Sequence, residues 1–285
     1  MSVNALPALA WAFALMLASP MNAQWAVAQD QSTDAVQEAP AEEGSDDEAA
    51  EEPDAEAIVL GSAEFLAGLP AFGFNWFVSY DVVDDGREKL TFTRSGSNLI
   101  VRGEGFSASS EEGFKLRDYY YDGETFTVSA PEEDFYASRT FDQGFEALVM
   151  ALRERTDTVL PLWTIMAEDL PDRMVTGADL AAYVGLTRIG GVVAHHIAFA
   201  GYQEDWQIWI ADDPDAPVPI YIVGTESDEK GWPQYRAWLS DWDLAPETTP
   251  DQFVFTPDED DLPAALPDLA ARPATAEPAT EEAQQ

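Results

Sequence analysis

The two histidines of the chain, His195 and His196, stand side by side in GVVAHHIAFAGYQEDWQIWI (191–210). Imidazole exchanges a proton near neutral pH, and its neutral form ligates metals. Adjacent histidines therefore raise two chemistries, acid/base catalysis and metal binding. Extended backbone separates them, because successive strand side chains point to opposite faces. His195 then lies with Val193, Ile197 and Phe199, and His196 with Ala194 and Ala198. A metal would need carboxylates from elsewhere, such as Glu204 or Asp205 across a hairpin turning at 201–203. Two other readings stay open: a strand histidine hydrogen-bonded across a sheet, or a polar group facing a ligand head group or partner. His195 is the one expected to face the interior.

Other reactive patterns are weaker. No G-x-S-x-G nucleophile elbow occurs. The absence of cysteine excludes a thiol nucleophile, disulfides and thiolate metal sites. GEG at 103–105 lacks the third glycine of a dinucleotide fingerprint. DDPDAP (212–217) groups carboxylates without the spacing of a calcium loop and reads as a turn between strands. Among 54 acidic residues, paired carboxylates carry no information about glycoside chemistry. The expectation is no catalytic residue, no metal, no cofactor and no enzymatic activity.

The elements that hold these residues read mainly as strands. Residues 72–83 alternate Phe72, Phe74, Trp76, Val78 and Tyr80 with smaller or polar residues. Further short runs follow, separated by turn signals at 84–86, at GSN (96–98) and at Asp122–Gly123, the last with a strand on either side. FDQGFEALVMALRERT (141–156) returns to helical spacing, with Phe145, Leu148, Val149 and Leu152 on one stripe. LPLWTIMAEDL (160–170) reads as a second short helix carrying Trp163 and Ile165. Strands resume from 178, and TTPDQFVFTP closes the series. An earlier helix over AIVLGSAEFLAGLP is expected to turn Ile58, Phe65, Leu66 and Leu69 to one side. Spacing near ten residues, with Gly or Asp at the corners, predicts an antiparallel sheet large enough to curl on itself.

Charge and composition frame this middle. The net charge of -40 makes nucleic acid an unexpected partner. Residues 30–56 hold twelve acids and no Lys or Arg, and residues 258–285 hold eight acids and one Arg. Segments so poor in large apolar side chains are expected to be disordered. The apolar run at 5–18, followed by small residues at Ala26–Ala28, reads as a signal peptide cleaved after Ala28. The expected layout is a signal peptide (1–28), an acidic linker (29–57), one folded domain (58–258) and an acidic Pro/Ala-rich tail (259–285).

Aromatics supply the rest of the reading. Trp206, Trp209, Trp232, Trp238 and Trp242 crowd one stretch. Trp206, Ile208 and Ile210 share one strand face, and Trp238 and Trp242 are expected to share another. Large flat side chains on a curved sheet either fill a core or line a greasy cavity.

The blocks YDGETFTV, LPLW, GVVAHHIAF, DWQIWI and PQYRAWLSDWDL, in that order, resemble the DUF2092 family of predicted periplasmic proteins over roughly residues 58–258. That family is similar to the LolA/LolB/RseB group. The resemblance implies an α+β fold, a half-open antiparallel β-barrel with an N-terminal helix and two mid-chain lid helices. It also implies a periplasmic carrier or sensor of acyl chains or exposed apolar segments. It carries over no catalytic residue. Ala194 stands where the family often has Cys, and Ile220 and Tyr221 follow Pro219 where a basic residue is common.

Together these readings predict a monomer binding a hydrophobic small molecule or lipidated protein. Its cavity and lid residues would be Phe72, Phe74, Trp76, Leu148, Leu152, Trp163, Ile165, His195, Phe199, Trp206, Ile208 and Trp238. The alternative is a non-enzymatic envelope interaction or sensor module with a filled core.

Overall fold

The computed structural model describes residues 53–84, 88–156, 158–174, 180–201 and 204–269. The expected signal peptide, its cleavage after Ala28 and nearly all of the acidic linker lie outside these residues.

Asp54, whose carboxylate accepts the backbone N–H groups of Glu56 and Ala57, caps α1 (Ala55–Gly68). The helix thus starts within the last residues of the expected linker (29–57). The buried side of α1 is Ala55, Val59, Ser62, Ala63 and Leu66, so of the predicted stripe of Ile58, Phe65, Leu66 and Leu69 only Leu66 is fully buried, the other three being half-buried. Small residues face inward because the helix must lie close to what it covers.

Two meanders follow. The first is β1 (Ala71–Asp84), β2 (Glu88–Val101), β3 (Gly105–Glu112), β4 (Lys115–Tyr121), β5 (Thr125–Ala130) and β6 (Phe135–Thr140). The second is β7 (Leu180–Ile189), β8 (Val192–Ala200), β9 (Glu204–Ala211), β10 (Pro219–Glu226) and β11 (Gln234–Asp243). Between them sit α2 (Phe145–Thr156), α3 (Trp163–Met166) and α4 (Leu170–Met174), so the single helix predicted over 160–170 is two shorter ones. A two-residue strand, β12 (Leu262–Pro263), runs parallel to β6.

The twelve strands of the described residues form one sheet in the order β12-β6-β5-β4-β3-β2-β1-β11-β10-β9-β8-β7. Pairing of β1 with β11 joins the meanders, while β7 and β12 remain at opposite edges. The fold is thus mixed α+β with an open, curled antiparallel sheet. The seam carries a polar clasp. Asp81, 2 % exposed, accepts from the Thr91 hydroxyl at 2.8 Å and the Gln234 N–H at 3.1 Å, with Lys89 and Arg236 at 3.5 Å. Burial pushes its carboxyl up, but these donors outweigh burial and hold it below the ordinary aspartate value.

On β1, Phe72, Phe74, Trp76 and Val78 are buried and Asn75 and Phe77 are exposed. The register carries this inner face to Leu239 and Ala237 on β11, and on to Ile208 of β9 and Ile197 of β8. The helices cover it. One core cluster joins β1–β3 to α2–α4 through Leu148, Leu152, Ile165 and Met166. A second joins Ala55 and Val59 of α1 to Ile197, Phe199, Ile208 and Ile210.

Three differences from the sequence reading have physical causes. GSN (96–98) is not a turn, since β2 runs straight through it. Gly96 is there because the Trp76 ring and the Ser109 carbonyl occupy the space a Cβ would need. TTPDQFVFTP holds no strand; it forms a 3-10 turn, Pro250–Phe253, whose Phe253 is buried against Gly105. The tail, expected to be disordered from 259, is described as far as 269. The Leu262 and Ala264 N–H groups donate to the Asp134 and Tyr136 carbonyls, and Leu269 is 2 % exposed. The acidic composition masked three leucines, 262, 266 and 269, that find apolar or edge partners.

Candidate functional site

The concave face and its helical cover form the candidate site. The cover is the insert 141–174 between the two meanders, and two side chains from the β2 region tie it down. Asn98, 2 % exposed, donates through Nδ2 to the Pro161 carbonyl at 2.8 Å and accepts the Trp76 indole N–H through Oδ1 at 3.1 Å. Arg102, in the turn after β2, donates to the carbonyls of Leu69 (2.9 Å), Leu66 (3.0 Å) and Met166 (2.9 Å). It thus joins the C-terminal end of α1 to α3, where unpaired carbonyls favour a cation. Burial pulls the Arg102 pKa below its usual value, while Glu168 and Glu146 act against this. Between the two ties, Leu162 holds φ 50, a left-handed conformation that costs a leucine energy.

The predicted site residues separate into three places. Phe72, Phe74, Trp76, Leu148, Leu152 and Ile165 meet in the main cluster, all at 3 % exposure or less, with Trp163 packed against them. Phe199 and Ile208 are buried beneath α1, with Trp206 stacked on Phe199 at 4.0 Å. Trp238 is half-buried and packs against the main cluster from the other face. It stands opposite Phe77, which is exposed, while its neighbour Leu239 faces Trp76. The expectation that Trp238 and Trp242 share a face fails because Asp241 takes φ 51 within a register shift. Trp242 instead turns inward to stack on Phe74 at 4.7 Å.

The histidines divide between the faces. His195 shares the inner face with Ile197 and Phe199, with Nδ1 3.1 Å from the Tyr183 hydroxyl and Nε2 3.2 Å from Asp212. One tautomer satisfies both contacts, Nε2–H donating to Asp212 and Nδ1 accepting from Tyr183. Burial and Asp212 raise the Tyr183 pKa, which makes its hydroxyl a poorer nucleophile. His196, on the outer face, stacks on Trp209 at 4.0 Å and pairs with Gln207 at 2.9 Å. The outer row continues through Tyr221 to Trp238. Among the described residues no group of three or more metal-ligating side chains gathers. The acid beside His195 is Asp212 of the DDPDAP turn, rather than Glu204 or Asp205.

Glu204 has a different environment. It lies directly across from Glu226. Burial, then Glu226 and Asp205, push its carboxyl up to about 7. The folded chain therefore binds this proton more tightly than the unfolded chain does, and stability falls as pH rises from 4.5 to about 7. Glu204→Gln is expected to leave Tm unchanged at acid pH and to raise it by about 2–4 °C above neutrality, as calorimetry at the two pH values would show.

Among the described residues two clefts have linings of mixed polar and apolar groups. One, of about 300 Å³, lies where Arg102, Glu104, Tyr121 and Glu146 surround the start of α2. The other, of about 510 Å³, lies on the outer face and is lined by Asn75, Ser97, Ser109, Asp118 and Asp241. Neither is lined by Leu148 or Leu152. In this state the greasy interior is occupied by the protein's own helices.

Residues 55–265 match a family described as "Predicted periplasmic protein (DUF2092)". The chain belongs to the DUF2092 family. Membership places it in the periplasm. No curated protein matches the chain. Solved structures with a similar sheet include LprF from Mycobacterium bovis, with TM-score 0.43, 15 % identity and coverage of 68 % of this chain and 94 % of that one. The Mycobacterium tuberculosis lipoprotein LppX gives 0.33, 12 %, 68 % and 96 %. A LolA superfamily protein from Nitrosomonas europaea gives 0.30, 12 %, 70 % and 97 %.

Of the groups that shape this DUF2092 site, Asn98 and Arg102 escaped the sequence reading. Asn98 lay hidden in an apparent turn. A lone arginine closing the apolar run LIV was the available signal for Arg102.

Proposed function

We propose that this periplasmic protein binds one long apolar chain, an acyl group or lipidated segment, against the concave face, with the helical insert as a displaceable cover. One observation carries the reading. The inner face is apolar from β1 to β9, yet part of it is closed by an insert that two β2-region side chains hold in place. Phe72, Phe74, Trp76, Leu148, Leu152, Trp163 and Ile165 are the proposed contacts. His195, Phe199, Trp206 and Ile208 form a further wall under α1.

Magnitudes set a condition. Releasing Leu148, Val149 and Leu152 costs about 1.5–3 kcal/mol each, and a ligand regains about 0.8 kcal/mol for each buried CH2. A chain of about eight methylenes regains about 6 kcal/mol, inside the range of about 4.5–9 kcal/mol that the three residues cost together, and about sixteen exceeds that range. Fluorescent fatty acids titrated into the mature protein are expected to bind only above such a length. Equal failure at all lengths, with no lipid retained by protein taken from its own envelope, defeats the reading.

The filled interior favours one second reading, a non-enzymatic envelope interaction module on the same fold. It predicts no lipid and a protein partner instead.

A further inference from the structure

The two edges of the sheet are treated differently. At β6 the chain covers its own edge: β12 pairs there, and Arg139 donates to the carbonyls of Leu266 and Pro267. At β7, the other end of the strand order, the described residues supply no further strand. Exposed edges are ordinarily blunted by charge, because unpaired N–H and C=O groups recruit other strands. The stretch LAAYVGLT (180–187) has no charged residue, in a chain with 54 acids. Its exposed side chains are apolar instead: Leu180 is 56 %, Val184 57 % and Leu186 57 % exposed. Ala181 and Tyr183 turn inward beside α1, which anchors the strand from within. A bulge between Tyr183 and Gly185 divides the edge into two paired parts, Leu180–Tyr183 and Gly185–Ile189.

The occupant's charge can be read from the same end. Leu180 lies across from Ala200, and the next N–H, that of Gly201, points to the Asp205 carboxylate at 3.4 Å. Glu204 on β9 and Glu226 on β10 face each other two and three strands in from β7. An incoming strand meets apolar side chains along β7 on a chain whose net charge is -40, which favours a basic segment. Arg188, the cation of the strand, is used at the hairpin tip, where it donates to the Gly191 carbonyl.

We propose that β7 is a docking edge for an extended, apolar and basic segment of a partner protein, which joins the sheet as an added strand. Backbone pairing supplies the attachment, and alternate apolar side chains lie beside Leu180 and Val184. This inference is independent of the acyl-chain reading, since it concerns the outside of the sheet.

The test uses the full mature chain and a ten-residue peptide alternating valine with lysine. A second peptide of equal charge, with proline at two central positions, is the control. Amide hydrogen exchange reads the site. The first peptide is expected to slow exchange within 180–184 at least tenfold, and the control to leave it unchanged. Leu180→Lys with Val184→Lys, both exposed positions, is expected to abolish this protection while the near-UV circular dichroism stays the same. Phe114→Lys, at a turn residue 98 % exposed, is expected to preserve it. Protection elsewhere, or equal protection by the proline peptide, overturns the proposal. So does a β7 edge already protected in a dimer without peptide, because the occupant is then a second copy.

Discussion

Gly96→Ala is expected to cost more than about 4 kcal/mol, the exceptional end of single substitutions, and to leave little folded protein in urea titrations. A Cβ at Gly96 falls 1.9 Å from the Ser109 carbonyl oxygen, 2.8 Å from its carbon and 2.6 Å from Trp76 Cζ2. The first two atoms are backbone of the paired strand β3, which cannot yield without breaking its ladder. The third belongs to a ring held by Asn98 and packed in the main core. Displacing Trp76 also loosens the Asn98 contact to Pro161, so the damage reaches the helical cover. Gly61→Ala is the matched control. Its Cβ meets nothing within 4 Å on α1, and it is expected to stabilise by about 0.5–1 kcal/mol. Equal midpoints for Gly96→Ala and the natural chain would show that Trp76 does not pack against this strand.

Arg102→Ala is expected to weaken the protein by about 3 kcal/mol and yet to strengthen acyl-chain binding. Three carbonyls lose a charged donor, each such bond contributing about 1.5–3 kcal/mol before water replaces it. The loss falls on the closed arrangement of α1, α3 and the sheet, because Leu66, Leu69 and Met166 are the partners. If the closed state is destabilised by about 1.4 kcal/mol relative to the open one, ligand affinity rises about tenfold. Faster amide exchange should appear in α2–α4 before it appears in β1–β3. Asn98→Ala acts in the same direction at the other tie. Arg102→Lys, which keeps one cationic donor, should fall between. A variant that unfolds as a unit and binds fatty acid no better would mean that the insert is simply core.

How much the sequence disclosed depended on how locally each feature is encoded. Alternation on β1 and on GVVAHHIAF marked the inner face, because strand periodicity needs no tertiary information. His195 faces inward with Ile197 and Phe199, and the YDGETF hairpin and α2 stripe lie where the pattern put them. Features set by distant partners were hidden. Gly96 looked like a turn because Trp76, twenty residues earlier, is what requires it. Trp238 and Trp242 looked like one face because the pattern does not show the left-handed Asp241 between them, where the register shifts. Leu269 looked like solvent-exposed tail because its partners lie in the main core. Asn98 is a polar residue inside a strand and Arg102 stands in the turn that follows it, and only the fold shows what they hold.

The displaceable cover is tested most directly by distance. The chain has no cysteine, so Met150→Cys on the exposed side of α2 and Phe114→Cys at the β3–β4 turn give a clean spin-label pair. Electron–electron dipolar spectroscopy with and without a sixteen-carbon fatty acid reads the separation. A shift toward a new separation, by up to about one helix diameter of ~10 Å, is predicted with the long chain and not with an eight-carbon one. An unchanged distance distribution at saturating fatty acid would contradict the account.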